Sequence, residues 1–321
     1  MLQPTDRAGG LAFLHTHLVR GWVADAPACL ILSALALQAT AMKSAPFKLP
    51  SAAYQLHYYI CLRTKRNKPV LNASIRASLE EHLDAICEHC RFHLLESNSY
   101  ENHLRLVLSL RPEHSVAEAV KKIRGNLSRP LCAEYSGLEA GKLWSRGYFA
   151  KSTGKVEDAA IAKYIASQAQ HHGYEGGSAS LVSAYDEPGT PPALRFHNHV
   201  AFNLTHHLVF DTQCHAHVFD DVTGNALIEY WLRVAKKKEF QIAQIRVLPN
   251  HCHLRVRLLP AMSVLECVLA LMNNSWAMMN RRFWGVLKQT DAWDVWEPSF
   301  YAATTGDVTT AEVKAYVSSA G

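Results

Sequence analysis

The sequence has little net charge for its length. Its 33 Lys and Arg stand against 28 Asp and Glu, a formal excess of +5 over 321 residues. Such a balance permits a nucleic-acid partner without requiring one, because what matters is where the positive residues cluster. A cysteine framework is also missing. Most of the eight cysteines, Cys61 and Cys267 among them, sit in apolar runs. The Cys87-x-x-Cys90 pair lies in a stretch with helical periodicity, and no second pair follows at zinc-site spacing. These features argue against a disulfide scaffold and point to reduced thiols in a cytosolic protein. Long apolar runs are scarce. Ala26 to Met42 is uncharged and near the lower length limit for a membrane span. Ser33, Gln38 and Thr40 interrupt it and no small-residue cleavage site follows, so it reads as a buried or docking helix rather than a signal or anchor. What the chain does have is 18 histidines and 49% hydrophobic residues, enough for the cores of two ordinary domains.

Self-similarity organises the rest. Trp144, Gly154 and Tyr164 follow one another at ten-residue intervals, as do Trp296, Gly306 and Tyr316. Thr153 and Val156 flank the first glycine, and Thr305 and Val308 flank the second. His103-Leu104-Arg105 recurs as His253-Leu254-Arg255. Ser115-Val116-x-Glu118-x-Val120 recurs as Ser263-Val264-x-Glu266-x-Val268, and Thr64 and Val70 match Thr212 and Val218. The offset stays between 148 and 152 residues throughout, the mark of a tandem duplication.

Both copies share one plan. A β-rich run (Leu56 to Arg63; His207 to Thr212) precedes a helix, which in the first copy carries Ile75, Leu79, Leu83, Ile86 and Cys90 on one face. Two strands follow. In the second, Leu104, Leu106, Leu108 and Leu110 alternate with His103, Arg105, Val107 and Ser109. A second helix begins near Ser115 or Ser263, each suited to cap it, and a strand near Tyr148 or Phe300 leads to a closing helix with Tyr164 or Tyr316. The expected fold is α+β: two ferredoxin-like (RRM-like) βαββαβ modules with antiparallel sheets, each with a closing tyrosine helix, over 51–172 and 201–321. Residues 173–200, rich in Gly, Ser and Pro around Gly176-Gly177-Ser178 and Pro191-Pro192, read as a linker. Residues 1–50 have no counterpart in the second copy and receive no role.

Two features carry chemistry. In a strand, His251 and His253 face the same side, with Arg255 and Arg257, and two imidazoles so placed can chelate one divalent ion. The pair alone reads equally well as the polar face of an antiparallel sheet. On the closing helix of the first copy, Tyr164 and Gln168 are four apart and share a face. A tyrosine can attack a phosphodiester when a metal offsets the developing charge, and a glutamine oxygen can be a third ligand. Tyr164 alone also reads as a packed helix tyrosine.

Together these stretches resemble the single-tyrosine HUH transposases of insertion sequences and the REP-associated tyrosine transposases. The matching segments are Tyr59-Ile60-Cys61-Leu62-Arg63-Thr64-Lys65-Arg66, Pro249-Asn250-His251-Cys252-His253-Leu254, Val120-Lys121-Lys122-Ile123-Arg124-Gly125, Trp144-Ser145-Arg146-Gly147-Tyr148-Phe149 and Lys163-Tyr164-Ile165-x-x-Gln168. The resemblance implies paired subunits, each active site taking its histidines from one and its tyrosine helix from the other. It implies Mg²⁺ or Mn²⁺, single-stranded DNA beside a hairpin as substrate, and a 5′-phosphotyrosine intermediate with a free 3′-OH.

Aligned on the shared His-Leu-Arg, Glu101-Asn102-His103 stands where the second copy has His251-Cys252-His253, and Ala320 stands where the first has Gln168. The expectation is one complete composite site per chain, of His251, His253, Gln168 and Tyr164, and one degenerate site of Glu101, His103, Tyr316 and Ala320. The chain is then a monomer acting as a pseudo-dimer. Lys65, Arg66, Lys121, Lys122, Arg124, Arg129 and Arg255 are candidate DNA contacts, with Lys68 and the Lys236-Lys237-Lys238 cluster nearby. Trp276, Trp284 and Tyr148 are candidates for stacking on bases. Two competing readings are a domesticated hairpin-binding protein without required catalysis, and a replication-initiator or relaxase nickase. The Trp-to-Tyr spacing and the tyrosine–glutamine helix favour the transposase branch over the latter.

Overall fold

The computed structural model describes residues 50–139, 141–154, 181–189, 194–290 and 294–318. The apolar run at Ala26 to Met42 lies outside them, as do Tyr164, Gln168 and Ala320. Among the described residues no helix is long and apolar enough to cross a membrane.

The first copy contributes β1 (Ser51–Gln55), β2 (His57–Arg63), α1 (Ala73–Cys90), β3 (His93–Ser99), β4 (His103–Ser109), α2 (Val116–Glu134) and β5 (Tyr148–Thr153). Two short strands follow, β6 (Ser183–Asp186) and β7 (Arg195–His197), inside the stretch read as a linker. The second copy contributes β8 (Val200–Asn203), β9 (Thr205–Asp211), α3 (Asp221–Lys238), β10 (Gln241–Leu248), β11 (His251–Arg257), α4 (Val264–Arg282), α5 (Trp284–Gln289), β12 (Ser299–Thr305) and α6 (Thr310–Ser318). The result is a mixed α+β structure with two six-stranded sheets, ordered β3-β4-β2-β5-β8-β7 and β1-β12-β9-β11-β10-β6.

Local chemistry sets the helix boundaries. The Asn72 side chain accepts from the Ile75 amide, Ser115 from Glu118, Asp220 from Thr223 and Ser263 from Glu266, each satisfying an amide that the first turn leaves open. Ile75, Leu79, Leu83, Cys87 and Cys90 form the buried stripe of α1, while Ile86 is half-buried. Leu104, Leu106, Leu108 and Leu110 are buried under α1 and α2, so that β4 presents His103 and Arg105 on the opposite face. The second core is richer in aromatics. Trp231 and Trp296 stack at 5.7 Å and Phe210 packs edge-on to both at 5.9 Å. Both indole N–H groups are satisfied, by Leu271 O at 3.0 Å and Ser275 Oγ at 2.9 Å.

The copies are joined by exchange. β1 runs directly into β2 yet pairs in parallel with β12 of the other sheet, from Ser51↔Ser299 to Gln55↔Ala303. β8 runs directly into β9 yet pairs in parallel with β5, from Tyr148↔Val200 to Lys151↔Asn203. The crossing residues Leu56 and Leu204 are buried and occupy equivalent positions. Other contacts come in equivalent pairs. Ala117 N donates to Pro260 O and Leu265 N to Pro112 O. Thr304 Oγ1 donates to Thr153 O and Ser152 Oγ to Thr305 O. Tyr58 and His206 occupy equivalent positions, and their Oη and Nε2 lie 2.9 Å apart. Gly154 permits this approach, because a Cβ there would lie 2.3 Å from Thr304 O.

Candidate active site

On the sheet of the second copy, helices α3 and α4 cover one face. His207, Asp211, His251, His253, Arg255 and Arg246 belong to the other, by the registers Asp211↔His251, His207↔Arg255 and Arg246↔His253. His251 and His253 are buried, with ring centroids 5.1 Å apart. Each imidazole is braced through Nδ1: His251 against Asn250 Oδ1 at 2.8 Å, and His253 against His207 Nε2 at 3.1 Å. Burial lowers the His207 pKa to about 4 and keeps that ring neutral. Tyr301 lies edge-on to His207 at 6.1 Å. Burial raises the Asp211 carboxyl to about 6, with His215 pulling it down and Glu297 pushing it up. At the sheet edge the Arg246 guanidinium holds both carboxylate oxygens of Asp186, at 2.9 and 2.8 Å, which ties β6 to β10. Among the described residues no group of three or more His, Cys, Asp and Glu is arranged around a metal position.

The equivalent face of the first copy corrects the alignment drawn from sequence. Thr64 N and Oγ1 bond Asn102 O, and Thr212 N and Oγ1 bond Asn250 O. Arg63 pairs with His103 where Asp211 pairs with His251. The offset across this strand is therefore 148, not the 150 of the His-Leu-Arg match. Asn102-His103-Leu104-Arg105 corresponds to Asn250-His251-Cys252-His253. The first histidine is kept, and Asn102 Oδ1 braces its Nδ1 at 2.8 Å as Asn250 does for His251. The second histidine is replaced by Arg105. Glu101 corresponds to Pro249 and precedes the strand; its carbonyl accepts from Leu71 N as Pro249 O accepts from Phe219 N. It is not a site residue.

Arg105 Nε donates to His103 Nε2 at 3.1 Å, so the guanidinium occupies the nitrogen that would meet a metal. Burial and, secondarily, Arg105 lower His103 to about 4, consistent with an accepting ring. Tyr100 stacks on His103 at 4.3 Å, with the Arg105 guanidinium over its ring at 4.5 Å.

Helix α6 of the second copy lies on this face of the first. Val313 and Tyr316 pack with Cys61 and Phe149, and Arg63 sits 4.2 Å over the Tyr316 ring while donating to its carbonyl at 2.9 Å. Asn67 bonds Val317 O, and Lys151 pairs with Glu312 at 2.8 Å. Burial raises the Tyr316 pKa, against the pull of Arg63.

Of the predicted DNA contacts, Lys65, Arg66, Lys121 and Arg129 are exposed. Lys65, Arg66, Lys68 and Lys142 line a cleft of about 340 Å³ that also includes Glu139. Arg255 is half-buried beside the histidines. Lys122 is bonded to Glu118 at 2.7 Å. Arg124 is structural: its guanidinium is bonded to Arg146 O and Gly147 O and lies over Tyr148, which is itself buried and unsuited to base stacking. Sequence reasoning missed Asn250, His207, Asp211, Arg63 and Arg105. Holding the 148 offset fixed by Thr64/Thr212, Val70/Val218 and Ser115/Ser263 would have found the last two.

Comparison with known proteins agrees with a doubled chain. The family model described as "Transposase IS200 like" matches twice, over 52–168 and 200–320. The ISDra2 transposase TnpA of Deinococcus radiodurans is 27% identical over 119 residues, 36% of this chain and 85% of that protein. The transposase for insertion sequence element IS200 of Salmonella typhimurium is 24% identical over 124 residues, 37% of this chain and 81% of that protein. A solved REP-associated tyrosine transposase bound to a REP hairpin aligns with 40% of this chain and 73% of its own, at 10% identity and a TM-score of 0.26.

Proposed function

The chain belongs to the IS200-like transposase family, and from that membership we propose that it is a metal-dependent single-strand DNA endonuclease and strand transferase that cuts beside a hairpin. The observation that carries this reading is the braced pair His251 and His253, set on a sheet face in one copy only. Their donor set fits a divalent ion. With both Nδ1 atoms engaged, each ring would meet an ion through Nε2, the arrangement in which an outer partner fixes the tautomer of a ligating histidine. His251 and His253 would hold Mg²⁺ or Mn²⁺, with Gln168 as a third ligand. Such an ion would polarise the phosphodiester.

In this reading each sheet is a ferredoxin-like module, and the two form a pseudo-dimer within one cytoplasmic monomer. Helix α6 lies on the first sheet; the segment carrying Tyr164 and Gln168 would take the reciprocal place on the second. The Tyr164 hydroxyl gives up its proton as its oxygen attacks phosphorus, the bond to the 3′ oxygen breaks, and that oxygen takes up a proton. The 5′ phosphate stays on the tyrosine until a 3′-OH displaces it. Asn250 and His207 hold the two imidazoles in orientation.

The test is covalent-adduct formation on single-stranded hairpin DNA with Mn²⁺. Tyr164→Phe is expected to abolish the adduct and Tyr316→Phe to leave most of it. An adduct mapped to Tyr316 overturns the assignment.

A further inference from the structure

The first copy presents the same face with its charges reversed. Where the second has Asp211, His251 and His253, the first has Arg63, His103 and Arg105. The former set consists of acceptors and needs a cation brought to it. The latter carries its own: Arg105 Nε lies on His103 Nε2 at 3.1 Å, and Arg63 stands on the neighbouring strand beside it. A guanidinium has five N–H donors. The described contacts of Arg105 use two of its nitrogens, Nε toward His103 and NH1 toward the Tyr100 hydroxyl at 3.3 Å. Arg105 is half-buried, with its guanidinium 4.5 Å over the exposed Tyr100 ring. Of the carboxylates on this face, Glu96 is exposed and bonded to Asn98 at 2.7 Å, and Glu312, brought by α6, is paired with Lys151 at 2.8 Å. Arginine matches phosphate oxygens in planar, charge-assisted pairs, and an exposed aromatic beside it can stack on an unpaired base.

We infer that this face binds a phosphodiester of single-stranded DNA through Arg105, with Arg63 reinforcing the charge, without a divalent ion and without cutting the strand. Arg105 stands where the second copy would carry its metal. The chain would then have one site that cuts and one that holds. This inference rests on the transposase reading for its ligand, but its test does not depend on cleavage.

Binding of a short single-stranded oligonucleotide to the full chain is measured in EDTA across a salt series. Arg105→Gln is expected to weaken binding about tenfold and to lower the salt slope by about 0.7, the value of one single-strand phosphate contact. Arg105→Lys keeps the charge and is expected to retain most of the affinity. An unchanged affinity and slope in R105Q overturns the inference, and so does an equal loss in R105Q and R105K, which marks a purely structural role. Isothermal titration with Mn²⁺ supplies the second arm. Arg105→His rebuilds a His-x-His pair on the braced His103 and is expected to raise the stoichiometry from one ion per chain to two. Two ions on the unaltered chain, or one on R105H, contradicts the place given to Arg105. A chain that binds no Mn²⁺ but loses oligonucleotide affinity in R105Q would sink the proposed cutting site and leave the holding site standing.

Discussion

The two copies hold nearly the same backbone around different chemistry. Helices α1 and α3, and α2 and α4, match residue for residue at an offset of 148, as do the strands that carry the sites. Yet the His251–His253 pair on one sheet corresponds to a His103–Arg105 pair on the other, and Asp211 corresponds to Arg63. The asparagine brace is kept in both, whereas His207, which braces His253, is Tyr59 in the first copy. These side chains can differ without disturbing either core, because they stand on the sheet faces away from α1, α2, α3 and α4; in the first copy that face receives α6 instead.

The sharpest way to break this comparison is to remove the histidines from each side. His251→Ala with His253→Ala is expected to lower Mn²⁺-dependent adduct formation by about a thousandfold, roughly 4 kcal/mol in the barrier. His103→Ala is expected to lower it less than tenfold. Equal losses would show that both faces work, and single-turnover adduct yields decide the matter. A smaller effect is expected one contact away. His207→Ala should weaken Mn²⁺ binding by about 10- to 100-fold, the usual consequence of removing the partner of a ligating histidine. Tyr59→Phe, at the equivalent place, should leave Mn²⁺ affinity within about twofold of the unaltered chain; titration calorimetry separates the two.

An effect on stability rather than on the sites concerns Tyr58 and His206, where equivalent positions carry different residues. Burial lowers His206 to about 3, so the folded chain keeps this ring neutral while the unfolded chain protonates it near 6.5. The unfolded state then binds more protons as pH falls through this window. Stability is unaffected by this group above about pH 6.5 and declines by roughly 1.4 kcal/mol per pH unit from there toward pH 3. His206→Gln should flatten that part of the slope in urea melts between pH 6 and 4. An unchanged slope would place the acid sensitivity on groups such as His103 and His207, whose pKa values burial also lowers.

Much of this was legible in the residues. The duplication, the α+β class, the alternation of β4 and the serine caps of α2 and α4 follow from period and spacing, because local backbone chemistry determines them. The register of the first site did not. A shift of two residues along a strand leaves every side chain on its original face, so alternation could not distinguish Glu101/His103 from His103/Arg105. The cross-strand partners Arg63 and Asp211 decide it, in agreement with the 148 offset of the flanking matches. Strands β6 and β7 were hidden in a segment of turn-forming composition, and the crossing at Leu56 and Leu204 depends on partners far away in the chain. Tyr164 and Gln168 fall outside the described residues, so their assignment still rests on sequence.

The exchange of β1 and β8 has a consequence for how the chain reaches its native state. Strand β1 is made early, but its partner β12 emerges from the ribosome almost 250 residues later. Contacts so distant in sequence are slow to form. Until β12 is made, β1 lacks its sheet partner, and such an unpaired strand is a template for aggregation. Neither half can complete its sheet alone. A gene cut between the copies would yield two fragments that must find each other, so the fusion binds the halves into a single folding event.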